Sequence, residues 1–177
     1  MSRSDIAVRV AIEADLGAIA AIYAHHVRTG TASFEIDAPD RTEMARRWRD
    51  LVDRGLPYLV AIAGSEVVGY AYAGPYRLRP AYRFTVEDSV YVRADFARRG
   101  IGAMLLQALV SASERAGARQ MIAVIGDSSN AASIRLHAAA GFAQVGTLAS
   151  VGWKFERWLD VVMMQRALGP GDTRPVP

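Results

Sequence analysis

The sequence predicts a single α/β domain of the α+β kind, built on a mixed sheet. Three observations predict it. Short apolar strands and amphipathic helices follow one another in the order β-α-α-β-β-β-α-β-α-β-β, so sheet and helices share one core. The 177 residues are 51% apolar and 22% charged, enough for one sizeable core, and no linker or internal repeat divides them. Finally, Val90-Tyr91-Val92-Arg93-Ala94-Asp95-Phe96-Ala97-Arg98-Arg99-Gly100-Ile101-Gly102-Ala103 carries a strand through a basic glycine loop straight into a helix. The domain is placed at residues 1–168, with a tail at 169–177.

Ile6–Val10 alternates as a strand. Glu13 and Asp15 then open a helix, where carboxylates suit the N-terminal dipole, and Leu16, Ile19, Ala20, Tyr23 and Val27 form its apolar face. His25 and His26 on that helix read as structural. Residues 29–39 form a loop that carries an apolar Phe34. Thr42 is the expected N-cap of a second helix with Met44, Trp48, Leu51 and Val52 on one face, stopped by Gly55 and Pro57. Tyr58–Ala63 and Val67–Tyr72 read as a hairpin.

A polar loop at 74–83 leads into the strand Phe84–Val92. The helix after the glycine loop turns Ile101, Met104, Leu105, Ala108, Leu109 and Ala112 to one side and ends at Gly117. Met121–Ile125 is a buried strand. The polar turn Gly126–Asn130 opens a helix to Ala140, which Gly141 stops, and Phe142–Val151 and Trp158–Leu168 are the closing strands. The tail, rich in glycine and proline, is expected to be disordered.

Composition narrows the functional classes. The net charge of +3 is mild and the arginines form no stripe, so no nucleic-acid partner is expected, while small anionic ligands suit the surface. The absence of cysteine excludes a disulfide, a thiolate metal site and a cysteine nucleophile. With three histidines no metal site is expected. Met1–Asp5 has no hydrophobic signal core and no apolar run reaches spanning length, so the expectation is a cytoplasmic protein with no membrane partner.

The glycine loop has the layout of an anion cradle. Glycines allow close backbone approach, the helix N-terminus offers unpaired N–H groups, and Arg98 and Arg99 add charge. A diphosphate is the fitting guest; the alternative is a solvated basic turn. The chain has no G-x-x-x-x-G-K-[ST] run, and Leu105 stands where a dinucleotide-binding fingerprint needs its third glycine.

What remains, R-x-G-x-G/A after a strand and opening a helix, resembles the pyrophosphate loop of the GNAT acetyltransferases. Ala97 departs from the glutamine or arginine usual three residues before the first glycine. Three further segments are similar to the phosphinothricin and methionine sulfoximine N-acetyltransferases within that superfamily. They are Gly74–Arg77 with Ala81–Val92, then Asn130–His137 with Gly141-Phe142, then Val151–Asp160. The resemblance covers residues 6–168. It implies the GNAT fold, a mixed central sheet with splayed strands and helices on both faces. It also implies acetyl-CoA as co-substrate, a small amino-acid-like acceptor and a homodimer. Val90, Tyr91, Val92, Arg98, Arg99, Gly100, Ile101, Gly102 and Ala103 would hold the acetyl-CoA, and Asn130 would reach its pantetheine arm besides capping a helix.

Glu87 is the general base that the resemblance implies. An α-ammonium must lose a proton before it attacks, and a carboxylate within reach can take it. On residue type alone Glu87 could instead face solvent or pair with Arg77, Arg79 or Arg83. Asp88 is its rival, placed by period-two alternation on the opposite sheet face. His137 shares a helix face with Ile134 and Ala138, where a core histidine is the plain reading. The resemblance makes it a leaving-group acid or a substrate contact. Arg77, Pro80, Ala81 and Tyr82 form the expected substrate loop, since a guanidinium fork suits an α-carboxylate. Phe34 and Lys154 would complete the pocket by resemblance. Trp153, Phe155 and Trp158 read as core or interface residues. No cysteine nucleophile exists, so direct transfer in a ternary complex is expected. The alternatives are a protein or peptide N-acetyltransferase and a non-catalytic acetyl-CoA-binding module.

Overall fold

The structure, a computed structural model, describes residues 6–176; residues 1–5 and 177 of the expected domain and tail lie outside the described residues. Seven strands form one sheet: β1 (Ile6–Val10), β2 (Tyr58–Ala63), β3 (Glu66–Pro75), β4 (Thr85–Val92), β5 (Gln120–Gly126), β6 (Ala143–Lys154) and β7 (Arg157–Ala167). Their order is β1-β2-β3-β4-β5-β7-β6. Four helices accompany them: α1 (Leu16–Thr29), α2 (Arg41–Asp53), α3 (Ile101–Arg115) and α4 (Ala131–Ala139).

Every pairing is antiparallel except β4 with β5, where the crossover through α3 demands parallel strands. That parallel register stops at Asp88↔Ala123. Beyond it β4 stays on β3 and β5 stays on β7, so the two central strands part. The expected splay is present, and the mixed sheet is antiparallel on its N-terminal side.

Each sheet face has its own core. Leu105, Leu106 and Leu109 of α3 pack with Val86, Met121, Ile125 and Met164 on one face. Leu16, Ile19, Tyr23 and Val27 of α1 pack with Met44, Leu51, Tyr58, Tyr70 and Tyr91 on the other. Strand β4 alternates as its pattern requires. Val86, Val90 and Val92 join the α3 side and Tyr91 joins the α1 side, in edge contact with Tyr23 at 5.1 Å between centroids.

Local departures have local causes. Asp40, not Thr42, caps α2, because its carboxylate accepts from the Glu43 amide. Val52, expected on the buried face of α2, is exposed, while Met44 and Leu51 are buried. Strand β6 is longer than expected, β7 starts one residue early, and the two meet in a two-residue turn at Phe155 and Glu156. Both have φ in the left-handed region, 52° and 56°, which a tight hairpin turn requires even without glycine. In the tail expected to be disordered, residues 169–172 form turns. Arg119 donates to the carbonyls of Gly171 and Pro175, which ties it to the start of β5.

Candidate active site

A cleft of about 400 Å³ opens where β4 and β5 part. It runs through the sheet. Tyr23, Ser33 and Glu35 line it from the α1 side, and Asn130, Ser133 and His137 line it from the α4 side. Glu87 and Asp88 therefore both line it although they point to opposite faces. The alternation was read correctly; a split in the sheet makes both faces reachable from one cavity.

Glu87 is half-buried. Burial pushes its carboxyl above the ordinary value, the negative Asp88 adds to the rise, and Arg77 acts against it. Asp88 and His137 are both buried, with side chains 2% and 5% exposed. His137 Nε2 lies 2.9 Å from Asp88 Oδ2, and His137 Nδ1 lies 2.8 Å from the carbonyl oxygen of Ser133. Burial opposes charge on this imidazole, but the hydrogen bond and charge of Asp88 outweigh it and hold the pKa above the ordinary histidine value.

At the glycine loop, Gly100 sits at φ 81° on the N-cap position of α3, a conformation only glycine adopts without strain. Arg98 is also left-handed, at φ 61°. The amides of Ile101, Gly102 and Ala103 form the first turn of α3 and have no intrahelical acceptor. A Cβ added at Gly102 would point at Leu136 and Val92 and meet the Leu136 side chain at 3.4 Å, an ordinary contact. Arg99 lies over the Phe96 ring at 4.6 Å and donates to the Asp95 carbonyl. Val90 and Val92 are partly buried on the α3 side, and His26 Nε2 bonds the Val92 carbonyl at 2.8 Å, which fits its structural reading. Asn130 caps α4 by accepting from the Ser133 amide and also lines the cleft.

The expected substrate loop is not brought into the cleft. Arg77, Pro80, Ala81 and Tyr82 are exposed, and none lines it. Arg77 stacks over the Tyr76 ring at 4.4 Å, and Tyr82 packs edge-on against Tyr76. Of this loop only Arg77 reaches the site, by its charge on Glu87.

The opposite wall is more built than the sequence suggested. Lys154 is buried and donates to the carbonyls of Gly30 and Ser33 at 2.9 and 2.7 Å, fastening the loop that carries Phe34. Phe34 lies against the backbones of Gly126 and Gly152, where any added Cβ would overlap its ring. Tyr23 bonds Ser33 and Glu35, and Arg47 pairs with Glu35 at 2.6 Å. Behind the cleft, Asp160 accepts from Ser128 Oγ and the Ser150 amide, joining the turn before α4 to an irregular point in β6. Sequence reading gave Asp160 no role. An aspartate within a strand, two residues after Trp158, carries no local signal for such a contact.

Comparison with known proteins places this geometry in a family. Residues 19–142 match the acetyltransferase (GNAT) family model. The chain belongs to the GNAT acetyltransferase family. This GNAT chain is 56% identical to a phosphinothricin N-acetyltransferase of Alcaligenes faecalis, over 98% of the chain and 88% of that protein. It is 44% identical to an L-methionine sulfoximine/L-methionine sulfone acetyltransferase of Pseudomonas aeruginosa, over 95% of the chain and 98% of that protein. A GNAT phosphinothricin acetyltransferase from Sinorhizobium meliloti, solved in complex with acetyl-CoA, superposes with a TM-score of 0.94 at 43% identity, covering 97% of this chain and 92% of that one.

No three histidine, aspartate or glutamate side chains among the described residues are grouped to hold a metal ion, and no described helix is long and apolar enough to cross a membrane.

Proposed function

We propose that this GNAT chain transfers the acetyl group of acetyl-CoA to the amine of a small amino-acid-like acceptor of the phosphinothricin, methionine sulfoximine or methionine sulfone type. One observation carries the reading: the cleft passes through the split sheet, with Glu87 reaching it on the α1 side and the α3–α4 layer on the other. Two reactants can therefore enter from opposite faces and meet between β4 and β5. The similarity to phosphinothricin and methionine sulfoximine acetyltransferases supports the acceptor class.

The residues fit the co-substrate. Gly100 and the free first-turn amides of α3 would cradle the pyrophosphate, with Arg98 and Arg99 beside them. The parted edge of β4 at Val90, Tyr91 and Val92, with Asn130 opposite, would flank the arm. Acetyl-CoA supplies an activated acyl group. Glu87 takes the proton that the ammonium must lose, and its raised pKa suits a base near neutral pH. Holding amine and thioester in line removes much of the entropic barrier. Phe34 and the Lys154-anchored loop close the acceptor side and exclude water. The enzyme is read as a cytoplasmic homodimer, its subunits meeting along β6.

The test is release of free thiol at fixed acetyl-CoA, comparing an amino acid with its decarboxylated amine and with a short peptide. The amino acid should give the highest kcat/KM, by about tenfold or more over the amine, the worth of one charge-assisted contact. Preference for the peptide would transfer the enzyme to protein N-terminal acetylation. No thiol release with any acceptor would leave a binding module.

A further inference from the structure

The His137 ring has an acceptor on each side. The Ser133 carbonyl can only accept, so Nδ1, 2.8 Å away, carries a proton. Nε2 faces Asp88 Oδ2 at 2.9 Å. With one proton already on Nδ1, a neutral ring would turn a lone pair toward a carboxylate, and two acceptors would touch with nothing between them. A second proton must lie there, and of the two bases the imidazole, with an ordinary pKa of about 6.5 against about 3.9 for the carboxyl, is the one to hold it. Asp88 has no other partner: its Oδ1 is buried and makes no hydrogen bond among the described residues. Each member of the pair thus depends on the other for compensation in a buried setting.

We propose that Asp88 is a positioning residue that keeps His137 doubly protonated, as a buried imidazolium on the α4 side of the cleft, across the sheet from Glu87. The inference rests on the acetyl-transfer reading for its purpose, not for its existence. Glu87 passes the ammonium proton on to solvent; as the neutral amine then attacks, a C–N bond forms and the second amine proton goes to the freed Glu87 carboxylate. The C–S bond breaks, its electron pair leaves on sulfur, and the fixed positive charge of His137 favours that negative charge. The thiolate later takes its proton from water, so His137 need release none. The charged or titratable groups facing the two sides are few. His137 meets Asp88 from β4, Ser133 on its own helix and the edge of the Phe142 ring. Glu87 is influenced by Asp88 and Arg77, and lies near Tyr72 on β3.

The pair can be tested without substrate. The chain has three histidines, so ¹⁵N-histidine spectra resolve them, with H137Q giving the assignment. Both nitrogens of His137 should be protonated at neutral pH and stay so well above the pH at which His26, held low by burial, has become neutral. Asp88→Asn keeps the shape, and its amide can donate to a bare Nε2, so the variant should fold with a neutral His137 ring. In kcat against pH, the parent should show an alkaline limb above the ordinary histidine value of about 6.5, and D88N should move it to that value or below. A single-proton ring in the parent at neutral pH overturns the proposal. So does a D88N enzyme that is slower but keeps the same ring protonation and the same limb, since Asp88 would then be a packing residue only. If E87Q is as active as the parent, the base assignment fails, and the spectra still decide the pair.

Discussion

Glu87 owes its behaviour to three neighbours that do not agree. Burial and Asp88 push its carboxyl up, and Arg77 pulls it down. A raised pKa means that the base form is lost as pH falls through a value above the ordinary carboxylate value of about 4.3. We therefore expect kcat/KM for the acceptor to fall on the acid side at a pH higher than a free glutamate would give. Arg77→Gln removes the opposing charge and should move that limb further up. Glu87→Gln keeps the shape and should cost about 10² to 10⁴ in kcat/KM while acetyl-CoA binding is retained. Near-normal turnover of E87Q across the pH range would remove the assignment. The place of Glu87 at the cleft was legible because a carboxylate stood in a strand rich in valine and tyrosine and the family pattern pointed to it. The Asp88–His137 bond was not. Its partners lie 49 residues apart, and nothing local in a helix histidine or a strand aspartate says that they meet.

At the scale of elements, the sequence reading succeeded wherever periodicity was strong and failed where an element's role depends on another's backbone. The strands, the helices and the glycine loop were readable from apolar spacing and turn residues. The loop at 29–39 was readable as a loop, and the resemblance put Phe34 and Lys154 at the pocket, but the tether was not readable, because Lys154 holds the loop from 121 and 124 residues away through carbonyl oxygens that have no sequence signature. Lys154→Met should keep most of the stem packing but leave the Gly30 and Ser33 carbonyls without their donor. We expect a loss of about 1–3 kcal/mol, which for a chain of this size lowers Tm by roughly 2–4 °C per kcal/mol. The looser loop should release Phe34 from the cleft wall, so KM for the acceptor should rise more than kcat falls. An unchanged Tm together with an unchanged acceptor KM would show that the tether does not shape the site.

For the whole molecule, the edge of the sheet is the open question that the fold poses. β6 closes one side of the sheet, spans 12 residues and is exposed along nearly all of them. Val145, Leu148, Val151, Trp153, Phe155 and Trp158 are between 50% and 63% exposed, a large apolar surface for a lone chain. A long apolar edge invites pairing with another chain, and a two-fold contact with a second copy covers it without leaving a further edge. The same hairpin carries Gly152, whose backbone backs Phe34, so a subunit docked there would brace the acceptor wall of the cleft. We expect the protein to sediment at twice its chain mass. Trp153 and Trp158 are cross-strand partners with centroids 5.2 Å apart. Changing them together to lysine and glutamate keeps an attractive pair within the hairpin while placing two charges in the contact. The double variant should sediment as a single chain, retain its circular dichroism, and show a raised acceptor KM. A parent that sediments as one chain at all accessible concentrations would exclude the dimer. A monomeric variant with an unchanged acceptor KM would keep the dimer but separate it from the site.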